Sequence, residues 1–248
     1  MQPLAGKAIL ITGAARRVGA AIARRLHGLG ANVLVHYRDH NADADQLAAE
    51  LNAQRADSAR ALGLELARIE AYPAFMAEVV GAWGRLDGLV NNASGFYPTP
   101  LGEITAAQWS DLMASNLQAP LFLAQAAAEE LRRNSGTIVN IVDIHADRPL
   151  KNYLVYNAAK AGLAGLTRAL AIELAPQVRV NGVSPGPIEW PEDGQLDAAE
   201  RARILAATPL GRVGGAEEIA RAVGFYFTDA PYVTGQILAV DGGRSIYL

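Results

Sequence analysis

The feature that most constrains this chain is a repeated alternation of short apolar runs with longer amphipathic stretches. Lys7–Ile11 (KAILI), Asn32–Tyr37 (NVLVHY), Ser58–Leu64, Leu86–Val90 (LDGLV), Gly136–Val142 (GTIVNIV), Val178–Val183 (VRVNGV) and Gln236–Val240 (QILAV) read as strands. Helical patterns separate them, at about Arg17–Leu29, Asp43–Gln54, Pro73–Trp83, Ala106–Arg133 with a break expected near Pro120, Tyr153–Ala175 and Ala216–Thr228. Short apolar runs suit strands covered on both faces, and strand–helix–strand units with short connections require a parallel sheet. The expected fold class is therefore α/β: a single doubly wound domain over residues 1–248, with about seven strands and helices on both faces of the sheet. Ser184–Glu200 is polar, contains three prolines and reads as a loop.

Composition excludes several function classes. A hydrophobic fraction of 51% and a charged fraction of 19% fit a globular enzyme with a sizeable core. A formal net charge of -3, without a continuous basic stripe, argues against nucleic acid or an anionic membrane as partner. The absence of cysteine excludes disulfides, thiolate catalysis and zinc–thiolate sites. His27, His36, His40 and His145 form no spaced ligand pair, so no metal is expected. The N-terminus runs almost at once into a strand, and no apolar run approaches the roughly 18 residues of a bilayer span. A cytoplasmic location is the expectation.

The first strand leads into Thr12-Gly13-Ala14-Ala15-Arg16-Arg17-Val18-Gly19. Glycine permits a tight turn and close backbone approach to a phosphate, and the following helix presents free N–H groups to the anion. Taken alone, such a turn can be an ordinary strand–helix connection; its place after the first strand of an alternating pattern points to a dinucleotide. The second strand ends in His36-Tyr37-Arg38-Asp39, without an acidic residue directly at the strand end to hold ribose hydroxyls. Arg16 and Arg38 would instead pair with a ribose 2′-phosphate, which favours NADPH. The alternative for Arg38 is a surface ion pair with Asp39 or Asp43. Asn91-Asn92-Ala93-Ser94 falls at the carboxyl end of a central strand, where ligands bind in this architecture.

Tyr156 and Lys160 stand four residues apart on a helix and share a face. A lysine cation beside a phenol is expected to lower the phenol's pKa toward a useful acid–base range. Asp143 closes the preceding strand at the same edge of the sheet.

Thr12–Gly19, Asn91–Ala93, Asn116, Tyr156 with Lys160, and Pro185-Gly186 follow the order and spacing of the short-chain dehydrogenase/reductase family, which the chain resembles over essentially its whole length. The resemblance implies hydride transfer from a nicotinamide. It makes Tyr156 the proton donor, Lys160 a ligand of the nicotinamide ribose, and Asn116 the holder of a relay water. It places Gly13, Arg16, Arg17, Val18, Gly19, His36, Tyr37, Arg38, Asn92, Ala93, Ser94, Lys160, Pro185, Gly186 and Ile188 at the coenzyme. The family's adenine-contacting Asp is replaced by Glu65, followed by Leu66. A substrate lid is implied around residues 187–210, with Trp190 in it, and a homotetramer is implied as the assembly.

Two departures narrow the resemblance. Most members carry Ser where Asp143 stands, and Arg17 replaces the middle glycine of the turn. An ionised carboxylate cannot donate to a carbonyl oxygen and repels a developing alkoxide. Together with Asn91–Pro100 (NNASGFYPTP), these changes resemble the pteridine reductase subgroup. That likeness implies a pterin or folate stacked between the nicotinamide and Phe96. Arg17 and Ser94 would serve its polar edges, and Asp143 would help Tyr156 protonate a ring nitrogen. Phe96 as an apolar plug and Asp143 as a capping residue are the plainer readings. The basic C-terminal residue that some pteridine reductases lend to a neighbouring subunit is missing from Ser245-Ile246-Tyr247-Leu248. The alternatives in function are an NADPH-dependent ketone or quinone reductase and a non-catalytic nucleotide-sensing scaffold.

Overall fold

The computed structural model describes residues 2–39, 41–190 and 197–247. Seven strands form one sheet: β1 (Ala8–Ile11), β2 (Asn32–Tyr37), β3 (Ala59–Gly63), β4 (Gly88–Asn91), β5 (Thr137–Ile141), β6 (Arg179–Pro185) and β7 (Ile237–Val240). Their order is β3-β2-β1-β4-β5-β6-β7, and every pairing is parallel. The chain steps outward from β1 to β3, returns beside β1 as β4, and steps outward again. This reversal opens a crevice at the carboxyl ends of β1 and β4.

Both faces are covered because the strand side chains alternate. Ile9, Ile11, Val33, Val35, Val90, Val139 and Val183 pack with residues of α1 (Arg17–Gly28), α2 (Asn41–Gln54) and α8 (Ala216–Thr228). Leu10, Leu34, Leu89, Ile138 and Val180 point the other way, toward α3 (Tyr72–Gly81), α5 (Ala119–Arg133) and α6 (Leu154–Glu173). Neighbouring strand residues thus enter two different cores, the period-two signature of a sheet buried on both sides.

The helices refine or depart from the sequence expectations in three places. The stretch Ala106–Arg133 is α4 (Ala106–Met113) and α5 joined by a π-helical turn, Ala114–Gln118. The irregularity therefore falls near Pro120, as expected, and just upstream of it. Proline is tolerated at a helix start, and its missing N–H is felt four residues upstream, at the Asn116 carbonyl. Ser184–Glu200 is not all loop: β6 runs to Pro185, and α7 (Ala198–Ala206) begins inside the segment, capped by reciprocal bonds between Asp197 and Glu200. A short helix, α9 (Arg244–Tyr247), closes the chain beyond the last strand. Residues 187–210, expected to form a lid, thus contain α7; residues 191–196 lie outside the described residues. Among the described residues, no helix is long and apolar enough to cross a membrane.

Candidate active site

The crevice beside β1 and β4 is a cleft of about 610 Å³. Its floor is the glycine turn, knitted to the strand-end loops by half-buried bonds. Thr12 Oγ1 accepts from the backbone N–H groups of Asn92 and Ala93 at 2.9 and 3.0 Å. Asn92 Nδ2 donates to the Thr12 and Gly13 carbonyls, both at 3.0 Å. A Cβ on Gly19 would sit 2.3 Å from the Gly13 carbonyl and 2.7 Å from Asn92 Nδ2, so only glycine lets α1 start this close to the turn.

His36, at the end of β2, is 1% exposed. Its Nδ1 accepts from the Gly13 N–H at 3.1 Å, and its Nε2 lies 3.0 Å from the Leu64 carbonyl. That carbonyl can only accept, so the ring is the neutral Nε2–H tautomer. Burial pushes its pKa down to about 4. Both ring nitrogens are occupied, and the imidazole ties the turn to the opposite wall, where Glu65 and Leu66 stand.

The start of α1 suits an anion. Its N-cap, Arg16, makes no side-chain cap bond, and its first turn holds no acidic residue. The first intrahelical bond is Ala20 N–H to the Arg16 carbonyl, which leaves the N–H groups of Arg17, Val18 and Gly19 without helical partners. Arg17 has φ of +49°, in the left-handed region that the replaced glycine would occupy freely. A side chain there costs about 1–3 kcal/mol. These residues fit a dinucleotide pyrophosphate.

The guanidinium groups at the mouth are paired. Arg38 Nε is 2.6 Å from Asp39, and Arg16 Nε is 2.8 Å from Asp43. Arg17 Nε reaches 3.3 Å to Glu189, joining the glycine turn to the segment that follows β6. The Trp190 ring is covered by the Arg201 guanidinium of α7 at 5.3 Å. Pro185, Gly186 and Ile188 lie away from the cleft lining: Gly186 is packed against Asp241, and Ile188 pairs with Gly214 beside a separate hollow of about 420 Å³.

Deeper in, α6 presents Tyr156 and Lys160, both nearly buried at 4% and 2% exposed. The Tyr156 hydroxyl donates to Asp143 Oδ2 at 2.7 Å, while Asp143 Oδ1 accepts from the His145 N–H at 2.8 Å. Asp143 therefore caps a turn, Ile144–Ala146, and also holds the phenol. Lys160 Nζ donates to the Ile141 carbonyl at 2.9 Å and lies 5.6 Å from the centre of the Tyr156 ring. Burial, and then the Asp143 carboxylate, push the Tyr156 phenol well above its ordinary pKa; the Ser94 hydroxyl acts in the opposite direction. The expected lowering of this pKa is thus not found: desolvation and a carboxylate in contact raise it. Burial also brings the Lys160 ammonium down to about 8, against the attraction of Asp143.

Asn116 sits in the π turn and is 1% exposed. Its Nδ2 donates to the Gly95 and Leu112 carbonyls, and its Oδ1 accepts from Ser94 Oγ at 2.7 Å. Phe96 stacks on Tyr153 at 4.6 Å and 18°, and meets Tyr156 edge-on at 4.8 Å and 78°, while remaining 40% exposed. The structure therefore brings Ser94, Phe96, Asn116, Asp143, Tyr156 and Lys160 together around one buried phenol.

Sequence reasoning missed Tyr153, Tyr97 and Asp111. Tyr153 lies three residues before Tyr156 on the same helix face, a signal that was available. Tyr97 donates to Asp111 at 2.9 Å, and both border the cleft; nothing in the sequence joins residues of the glycine-proline loop to the middle of α4. Among the described residues, no group of three or more His, Asp or Glu could hold a metal ion.

The family described as enoyl-(acyl carrier protein) reductase matches residues 13–245. Pteridine reductase 1 of Leishmania tarentolae is 40% identical, over 96% of this chain and 96% of its own length. A 3-oxoacyl-acyl-carrier-protein reductase of Staphylococcus aureus is 35% identical, over 96% and 97%. 3beta-hydroxysteroid dehydrogenase 1 of Eggerthella lenta is 32% identical, over 98% and 95%. A seven-stranded parallel sheet, a glycine turn closed by Thr12 and Asn92, and a buried tyrosine with its lysine one helical turn on thus agree with relatives aligned end to end: the chain belongs to the short-chain dehydrogenase/reductase family of oxidoreductases.

Proposed function

We propose that this enzyme is an NADPH-dependent pteridine reductase that reduces a C=N bond of a dihydropterin or dihydrofolate to the tetrahydro form, oxidised pterin being a further candidate substrate. The observation that carries this reading is the 2.7 Å bond from the Tyr156 hydroxyl to Asp143. A carboxylate beside the proton donor suits protonation of a ring nitrogen, and it opposes the alkoxide of ketone reduction. Bound NADPH supplies the hydride to the carbon of that bond. Tyr156 delivers the proton to the adjacent nitrogen; its raised pKa keeps it a neutral donor at physiological pH. Asp143 fixes the direction of the O–H. Lys160 compensates the phenolate left behind. Arg17 serves the cofactor phosphates and the polar edge of the pterin, and Ser94 the amino-pyrimidine edge. The exposed part of Phe96 offers a surface on which a flat heterocycle stacks. The 40% identity to a pteridine reductase supports the same substrate class.

NADPH is the proposed coenzyme because Arg16 and Arg38 flank the end of β2. Each is paired with an aspartate, but the side chains are largely exposed. Such pairs are worth at most about 1 kcal/mol, so a doubly charged 2′-phosphate can displace them. The homotetramer belongs to the same proposal; exposed Trp109, Leu121 and Leu154 on α4, α5 and α6 support it. So does a cytoplasmic location.

The test is NADPH oxidation with dihydrobiopterin and dihydrofolate, repeated with Asp143→Ser and Phe96→Ala. Turnover by the wild type and at least tenfold lower kcat/KM in both variants is the expected result. Failure on every pterin and folate, with reduction of ketones or quinones, would replace this reading by that of a carbonyl reductase.

A further inference from the structure

We infer that Thr99 is a positioning residue that locks the substrate-facing loop onto the catalytic helix. The inference rests on the reductase reading for its kinetic consequence but not for its geometry. α6 carries Tyr156 and Lys160, yet its N-cap, Tyr153, makes no side-chain cap bond. The first intrahelical bond is Asn157 N–H to the Tyr153 carbonyl at 2.8 Å, so the N–H groups before it need other acceptors. One acceptor comes from far along the chain: Thr99 Oγ1 accepts from the Val155 N–H at 3.2 Å, across 56 positions. Thr99 also donates its own N–H to the Asn152 carbonyl at 2.6 Å and forms a parallel bridge with Tyr153. Its side chain is 0% exposed.

A threonine that caps a helix from another segment does two things at once. It completes the helix end, and it fixes the distance between its own loop and the helix. The loop here is Ser94–Thr99. Its other end is held by Ser94 on Asn116, and its third residue, Phe96, lies on Tyr153 and against Tyr156. Thr99 therefore sets where Phe96 stands relative to the Tyr156 hydroxyl, and it holds the first turn of α6 so that this hydroxyl meets Asp143. Its hydrogen bonds go to Val155 and Asn152, not to Thr12, Gly13, His36 or Asn92, which knit the coenzyme floor.

The test compares Thr99→Val, which keeps the shape and removes the acceptor, with Thr99→Ser, which keeps the acceptor. Amide hydrogen exchange in the protein without coenzyme is read at the first turns of α6 and α1, beside kcat, substrate KM and the coenzyme dissociation constant. The expected result for the valine variant is at least tenfold faster exchange in the first turn of α6 with α1 unchanged. Its kcat falls at least tenfold and its pterin KM rises, coenzyme binding stays within twofold, and the serine variant recovers each value to within threefold. Unchanged exchange in α6, or losses spread equally over α1 and coenzyme binding without recovery by serine, would overturn it. If the wild type reduces no pterin, the proposed substrate class falls while the exchange comparison still decides the role of Thr99.

Discussion

The two ends of the cleft are held in different ways. At the coenzyme end the fixing bonds run from side chains to backbone: Thr12 and Asn92 bind main-chain groups, and His36 binds the Gly13 N–H and Leu64 carbonyl. At the substrate end bonds to backbone are joined by contacts between side chains: Tyr156 to Asp143, Ser94 to Asn116, and Phe96 on Tyr153. A frame made of backbone bonds is specified by a few small residues and leaves little to vary. A frame made of paired side chains changes its chemistry when one partner changes. The contrast suits a fold whose relatives are named for pterins, steroids and acyl chains.

The sharpest way to break the comparison is to remove the reacting hydroxyl alone. Tyr156→Phe is expected to lower kcat on the order of a thousandfold, the range of general-acid contributions. Coenzyme affinity, measured by fluorescence titration, should stay within twofold, because no bond of the coenzyme floor passes through Tyr156. Comparable loss of coenzyme binding would show that the two ends are one unit.

A second experiment strains the coenzyme end by acid. His36 is neutral when folded, with a pKa near 4, against an ordinary value of 6.5. Between these values the unfolded chain binds the extra proton, so stability falls as pH drops from about 6.5 through 4, by up to about 3 kcal/mol. Denaturant titrations of the wild type and His36→Asn across that window should converge as the pH falls. A constant difference would mean that His36 is not the group responsible.

The smallest expected effect concerns Lys160, with its pKa near 8. Its cation is present below that value and lost above it, so kcat should decline several-fold as pH rises through about 8. Lys160→Arg, always charged, should move the decline to higher pH. A flat profile would separate the lysine's charge from the proton transfer.

The parallel sheet was legible because strands buried on both faces appear as unbroken apolar runs; even Ala216–Thr228 has the ends its pattern suggested. α7 was hidden by the prolines before it, although Asp197 and Glu200 carry a capping-box spacing that could have revealed it. The neighbouring placement of Tyr156 and Lys160 was legible as a four-residue spacing. The direction of the Tyr156 pKa was not: it depends on complete burial and on a carboxylate brought within 2.7 Å by the end of β5, neither of which is a local property. Thr99 was illegible for the same reason. Its partner lies on a helix that the spacing alone does not bring near.

The π turn at Ala114–Gln118 has a consequence for how such a site changes over time. It contains one residue more than an ordinary helical turn. Deleting one residue there would let a regular helix run from Thr105, the N-cap of α4, through α5, with the one main-chain bond that Pro120 cannot make left open. It would also rotate one side of that helix against the other by about 100°. Asn116 would then leave Ser94 and Gly95, and the floor beneath Phe96 would open. A single-codon change in length can therefore install or erase this part of the site, without altering any amino acid that takes part in it.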